Sequence, residues 1–235
     1  MRAGTAFGIG VGPGDPELLT LKALRLIEAA PVVAYPAPEG GESFARGIVA
    51  RWLKPAQREI AIEVPMRVER FPAQAVYDRT AAAIGAELAA GRDVAILCQG
   101  DPFFYGSFIH LFTRLAGRFP VEIVPGVSSL AACAAAARLP LTERNETLTI
   151  IPATLEAEAL EARLAAAQSA AIIKLGRHFA KARAVLQRLG LAARAVYVER
   201  ASLGSERILP LAEVAAESVP YFAMILLAAP ARTAP

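Results

Sequence analysis

Phe7-Gly8-Ile9-Gly10-Val11-Gly12-Pro13-Gly14-Asp15-Pro16-Glu17 is the stretch from which the rest of the chain can be read. A short apolar strand runs into a glycine loop, and the loop runs into a helix. Glycine adopts backbone conformations closed to other residues and lets a ligand lie against the main chain. Asp15 suits a helix N-cap, Pro16 the first helical position, and Glu17 the positive end of the dipole. Leu18, Leu19, Leu21, Leu24 and Ile27 are then predicted to share one helical face. The shape is that of a strand–loop–helix ligand site, or equally of a tight turn that only caps a helix.

A dinucleotide fingerprint G-x-G-x-x-G would need glycine where Pro13 stands. No acidic residue ends a second strand, because Val32-Val33-Ala34-Tyr35 runs into Pro36. No G-x-x-x-x-G-K-[ST] occurs, so a nucleotide-phosphate loop has no support. A nucleotide-binding oxidoreductase is therefore disfavoured.

The 235 residues are 55% hydrophobic and 20% charged, with a formal charge of +3. That balance buries ample core and is only mildly basic, which does not point to nucleic acid. Only Pro230–Pro235 reads as disordered. Cys98 in an apolar strand and Cys133 in an alanine-rich helix read as buried free thiols. With no signal peptide, they place the chain in a reduced cytoplasmic setting. No stretch reaches the ~20 apolar residues of a membrane span.

Strands and helices alternate through the first half. Predicted strands at Val32–Tyr35, Glu59–Val64 and Val94–Leu97 are separated by helices from about Ser43, from Pro72 to Ala90 and from Phe104 to Leu115. This spacing argues a parallel α/β sheet. The second half is less regular. Strands are expected at Val121–Val124, Leu148–Ile151, Ala171–Lys174, Ala195–Val198, Arg207–Leu209 and Phe222–Leu227. Adjacent strands late in the chain indicate a mixed sheet and a second domain. The expected division is 1–118 and 119–235, with the boundary near Gly117–Pro120.

One pattern recurs. Gly14-Asp15-Pro16 and Gly100-Asp101-Pro102 both follow an apolar strand, and Pro125-Gly126-Val127-Ser128-Ser129 is a third strand-to-helix loop. Loops at strand C-terminal ends converge on the crevice where open α/β sheets bind ligands. His110 and His178, the chain's two histidines, belong to no metal-spacing motif.

The loop G-x-G-P-G-D, the later G-D-P-x-x-Y-G and the P-G-V-S-S segment together resemble the tetrapyrrole methylase family, over essentially the whole chain. Cys98 to Phe108 and Glu63-Val64-Pro65-Met66 are most similar to members acting at C-20 of precorrin-2 in cobalamin biosynthesis. The resemblance implies two α/β domains with a trough between them, a homodimer, and methyl transfer from S-adenosylmethionine (SAM), leaving S-adenosylhomocysteine. It implies a tetrapyrrole acceptor; the modest charge and the lack of a membrane-length apolar run leave neither a nucleic acid nor a membrane as an expected partner.

By the same resemblance the donor lies along Gly100, Asp101 and Phe103, with Ser128 and Ser129 on one side and Pro13 approaching from the first loop. Leu175 and Ala201 match two further contact positions. They depart from the commoner methionine and glycine there, and core packing explains them nearly as well. The acceptor's eight carboxylates call for cations. Arg46, Arg67, Arg70 and Arg144 are the candidates, each with a solvated surface charge as its alternative reading. Tyr105 either orients the acceptor through its hydroxyl or packs at a helix start. No catalytic base and no metal ligand can be named. The loop from Tyr35 to Ser43 is expected to form a flexible lip. Three other activities compete: the same methylation on a cobalt-loaded acceptor, an RNA methyltransferase of the same superfamily, and a non-catalytic binding module.

Overall fold

The computed structural model describes residues 2–64, 70–215 and 219–229, with 64 and 70–73 described by backbone alone. The chain divides into two units, Met1–Ser128 and Ser129–Pro235. The expected disorder of Pro230–Pro235 falls outside the described residues.

The first unit alternates β1 (Ala6–Gly10), α1 (Leu21–Ala29), β2 (Val32–Pro38), α2 (Phe44–Val49), β3 (Arg58–Val64), α3 (Arg70–Ala89), β4 (Val94–Cys98), α4 (Phe108–Leu115) and β5 (Val121–Val124). Its sheet has the order β3-β2-β4-β1-β5, with every pairing parallel. β1 and β4 are buried along their full length, because helices cover both faces. Phe7, Ile9, Ala95 and Leu97 face α1 and α2, while Ala6, Val94, Ile96 and Cys98 face α3 and α4. Gly8 falls on the second face, where a Cβ would lie 2.5 Å from the Phe108 ring. The chain leaves β1 toward β2 and leaves β4 in the opposite direction, toward β5. The switch between these two adjacent strands is where a crevice opens at their C-terminal ends.

The second unit holds α5 (Ser129–Ala136), β6 (Leu148–Pro152), α6 (Ala157–Ala165), β7 (Ser169–Ile173), α7 (Phe179–Arg188), β8 (Ala195–Glu199), β9 (Arg207–Pro210) and β10 (Ala223–Leu227). Its sheet is β6-β7-β10-β8-β9, mixed as expected: β6 and β7 are parallel and the remaining pairs antiparallel. α6 and α7 supply Leu160, Leu164, Phe179 and Val185 to one core. α5 supplies Ala132 and Cys133 to the other.

Four local expectations change. The division falls after Ser128 rather than near Gly117–Pro120, because β5 pairs with β1 and completes the first sheet. The opening helix is broken: Asp15 caps a single 3-10 turn (Pro16–Leu18), and Thr20 caps α1 afresh. That break shifts the helical phase, so Ala23 and Ile27 are buried while Leu21 is 87% exposed. α4 begins at Phe108 rather than Phe104, since residues 102–107 form a turn.

The fourth change concerns the lip expected from Tyr35, because β2 continues through Pro36 to Pro38, paired with β3 as far as Val64. Prolines normally end a central strand, but β4 partners β2 only over Val32–Ala34. Beyond that point one side of β2 has no neighbouring strand among the described residues, and the missing N–H groups face it. On that side the Ser43 hydroxyl donates to the Pro36 carbonyl at 2.5 Å, and the Gly41 N–H donates to that of Pro38 at 3.0 Å.

Candidate functional site

The loops after β1, β4 and β5 leave three adjacent strands at the same edge and meet through their main chains. Gly12 and Gly100 form an isolated bridge, in which the Gly100 N–H donates to the Gly12 carbonyl at 2.8 Å and Gly12 returns the bond at 3.3 Å. Both take positive φ, 80° and 67°, which glycine adopts without steric penalty. The third loop is equally close. A Cβ on Gly10 would lie 2.5 Å from the Gly126 nitrogen, and one on Gly126 would lie 2.2 Å from the Gly100 carbonyl oxygen. No side chain fits into this junction. The three loops meet backbone to backbone, with Gly10, Gly12 and Gly100 buried and the Gly12, Gly100 and Gly126 N–H groups hydrogen-bonded within the junction.

The two Gly-Asp-Pro segments have the same local chemistry. Asp15 Oδ1 accepts from the Glu17 N–H at 2.8 Å, and Asp101 Oδ1 from the Phe103 N–H at 2.9 Å. Asp101 goes further, its Oδ2 accepting from the Gly126 N–H at 3.1 Å. Gly100, Asp101 and Pro13 are thus gathered at the junction or one residue from it, with Pro13 buried. Phe103 is 46% exposed and sets its ring edge-on to Phe112 at 5.1 Å. Tyr105, 48% exposed, holds φ 56° with its ring edge-on to Phe104 at 5.2 Å. The next residue closes the turn tightly: a Cβ on Gly106 would lie 2.6 Å from the Pro102 carbonyl oxygen. Ser128 ends the first unit, and Ser129 opens α5 in the second.

In the second unit, Leu175 and Ala201 follow β7 and β8, which run parallel to each other on either side of β10. Their side chains pack into the apolar cores, so only their main chain is left to meet a ligand. The residues just before them, Lys174 and Arg200, take φ 59° and 51°, and Ser202 takes 69°. Left-handed backbone at non-glycine residues tends to persist at binding sites.

The four arginines lie in different settings. Arg46, on α2, is held bidentate by Glu59 at 2.6 and 2.8 Å, with its guanidinium 5.9 Å from the Tyr35 ring centre. Glu59 is paired in register with Val33, near the start of β3. It therefore sits about 10 Å, three strand residues, below the edge where the loops gather. The Arg46 guanidinium holds the Glu59 carboxyl down at about 2. Arg144 lies in the loop between α5 and β6, highly exposed, 3.4 Å from Glu143. Arg67 is outside the described residues. Arg70 begins α3, at the end of β3 nearest the loops, and is described by backbone alone.

Burial pushes the thiols of Cys98 and Cys133 up to about 12, so neither supplies a thiolate at neutral pH. The His110 ring packs at a tilt against that of Tyr77, with centres 4.7 Å apart. Burial, then the nearby Lys181 and Arg177 charges, pull His178 below its usual range. Among the described residues no group of three or more His, Cys, Asp and Glu is placed to hold a metal. No described helix is long and apolar enough to cross a membrane.

Sequence reasoning singled out the glycine loops but missed the interlock of Gly10 with Gly126 and the second bond of Asp101. The available signal was that each loop has a glycine within two residues of its strand's end.

Comparison with known proteins adds the chemistry. The family described as Tetrapyrrole (Corrin/Porphyrin) Methylases matches residues 6–215. The chain is 41% identical over 232 residues to a precorrin-2 C(20)-methyltransferase from Sinorhizobium sp, covering 95% of each protein. It is 32% identical over 227 residues to a Salmonella typhimurium cobalt-precorrin-2 C(20)-methyltransferase, covering 95% of this chain and 96% of that protein. With the Mycobacterium bovis cobalamin biosynthesis protein CobIJ it shares 46% identity over 232 residues. There it spans 95% of itself but only 46% of the longer relative, slightly under half. A crystal structure of uroporphyrin-III C-methyl transferase from Thermus thermophilus complexed with S-adenyl homocysteine superposes with a TM-score of 0.69. The two chains are 31% identical, with coverage of 96% and 92%.

Proposed function

Because this chain belongs to the tetrapyrrole (corrin/porphyrin) methylases, we propose that it transfers a methyl group from SAM to C-20 of precorrin-2, giving precorrin-3A in cobalamin biosynthesis. The observation that carries this reading is the 41% identity, over 95% of both chains, to the Sinorhizobium precorrin-2 C(20)-methyltransferase. The gathering of three loops at the C-terminal ends of β1, β4 and β5 supports it, because that edge of an open α/β sheet is where such folds bind ligands.

SAM supplies the methyl as an electrophile on its sulfonium: the sulfur–carbon bond breaks as the new carbon–carbon bond forms, and a proton leaves the product. The chain's share is alignment, which is worth many orders of magnitude in a two-reactant step. The meso carbon of the acceptor is conjugated to pyrrolic nitrogens and is already electron-rich, so no nucleophilic side chain is required of the protein.

In this reading Gly100, Asp101, Phe103, Pro13, Ser128 and Ser129 surround the donor, and Leu175 and Ala201 contribute main chain. Arg67, Arg70 and Arg144 meet acceptor carboxylates, and Tyr105 faces the macrocycle. Arg46 instead holds α2 against β3. A homodimer in the cytoplasm completes the proposal.

The test is anaerobic incubation with SAM and precorrin-2, with and without cobalt in the acceptor, followed by mass spectrometry. One added methyl on the metal-free acceptor, placed at C-20 by NMR, is the expected result. Methylation of the cobalt-loaded form alone would move the chain to the activity named for the Salmonella relative. Methylation of neither would overturn the reading.

A further inference from the structure

Asp101 divides its carboxylate between two loops. Oδ1 closes a local turn on the Phe103 N–H, 2.9 Å away and two residues on. Oδ2 accepts from the Gly126 N–H at 3.1 Å, across 25 residues of chain. These are the loops whose backbones already touch where Gly126 approaches the Gly100 carbonyl. With glycine at 10 and 126 these loops meet backbone to backbone, and glycine backbone is the most mobile there is. A charge-assisted hydrogen bond is the stronger kind.

We propose that Asp101 is a positioning residue, a strut whose carboxylate sets the separation of the β4–α4 and β5–α5 loops while the donor itself meets their main chain. The inference rests on the SAM-dependent reading above. It reassigns Asp101 from touching the donor to shaping the space that receives it.

Asp101→Ser separates the two bonds. A serine hydroxyl still accepts from the N–H two residues on, but it is too short to reach Gly126. Asp101→Asn accepts from only one of the two amides at a time, because its other atom is a donor. SAM affinity of the parent is measured first, by calorimetry. Amide exchange at Gly126 and steady-state kinetics then follow in all three proteins. For Asp101→Ser the expected result is about tenfold faster Gly126 exchange and about tenfold higher Kd and KM for SAM, the factor one such bond supplies. The loss should appear in the Kd and KM for SAM more than in kcat at saturating SAM, since preorganisation acts on binding. Asp101→Asn should fall between parent and Ser variant.

Parent-like Gly126 exchange in Asp101→Ser would overturn the strut. So would a lowered kcat with unchanged KM, which is the pattern given by a smaller folded fraction. A parent that does not bind SAM, combined with lost Gly126 protection in the variant, would overturn the donor reading alone.

Discussion

Tyr105 and Gly126 show opposite uses of the backbone at the same edge of one sheet. Tyr105 is a bulky residue held at φ 56°, a conformation that disfavours L-residues by about 1–2 kcal/mol. Tyr105→Gly should leave the melting temperature unchanged or slightly raised, yet lower kcat/KM for the tetrapyrrole several-fold while SAM affinity holds. Parent-like turnover would remove Tyr105 from the acceptor side. Gly126 is the reverse case, because any Cβ meets the Gly100 carbonyl oxygen at 2.2 Å. Gly126→Ala should destabilise by about 1–3 kcal/mol, as overpacking does. It should also weaken SAM binding at least about tenfold, measured by calorimetry on the folded fraction. The sequence made the three glycine loops legible, since each punctuates the end of an apolar run. It could not show that Gly10 and Gly126 touch, because that contact depends on β5 lying beside β1, a pairing with no local signal.

Among the elements, the tie between α2 and β3 carries a pH dependence. Glu59 ionises at about 2 instead of the ordinary 4.5 because Arg46 grips it. A carboxyl lowered in the folded state stabilises fully above its unfolded pKa, and the contribution fades as pH falls toward 2. Both side chains are about one-third exposed, so solvent screening leaves roughly 1 kcal/mol. Arg46→Met should therefore be less stable than the parent at pH 6, with the gap narrowing steadily as pH falls from 4.5 toward 2, read from urea midpoints. A gap constant with pH would show that Arg46 acts through packing instead. Its turnover at neutral pH should match the parent if Arg46 is a tie rather than an acceptor ligand. Element types were largely readable from periodicity, whereas their ends were not. The α1 phase slipped because Thr20 competes with Asp15 as a cap, and β2 outran its prolines because β3 kept pairing.

At the scale of the molecule, the junction lies wholly within Met1–Ser128, while Leu175 and Ala201 belong to the other unit. A fragment of residues 1–128 has its own sheet and two apolar cores. It should fold, by circular dichroism, and keep the Gly126 amide protected, but bind SAM far more weakly than the full chain. Equal affinity would dismiss Leu175 and Ala201 as contacts. For the full chain, SAM at 100 times its Kd should add about 2.7 kcal/mol to stability. That raises the melting temperature by about 5–10 °C, and no shift would count against the site. The two-domain plan was legible in the loss of strand–helix alternation after β5, whereas the residues assigned to the second unit's site were legible only through family resemblance. The extended ribbon of β2 and β3 has a last consequence, for concentrated solutions. An open strand edge normally invites a neighbouring molecule to add a strand, the first step of aggregation. Here Pro36 and Pro38 offer no donors, and their carbonyls are already taken by Ser43 and Gly41. A second chain that approached Pro36 and Pro38 would find no donor there and both carbonyls already engaged.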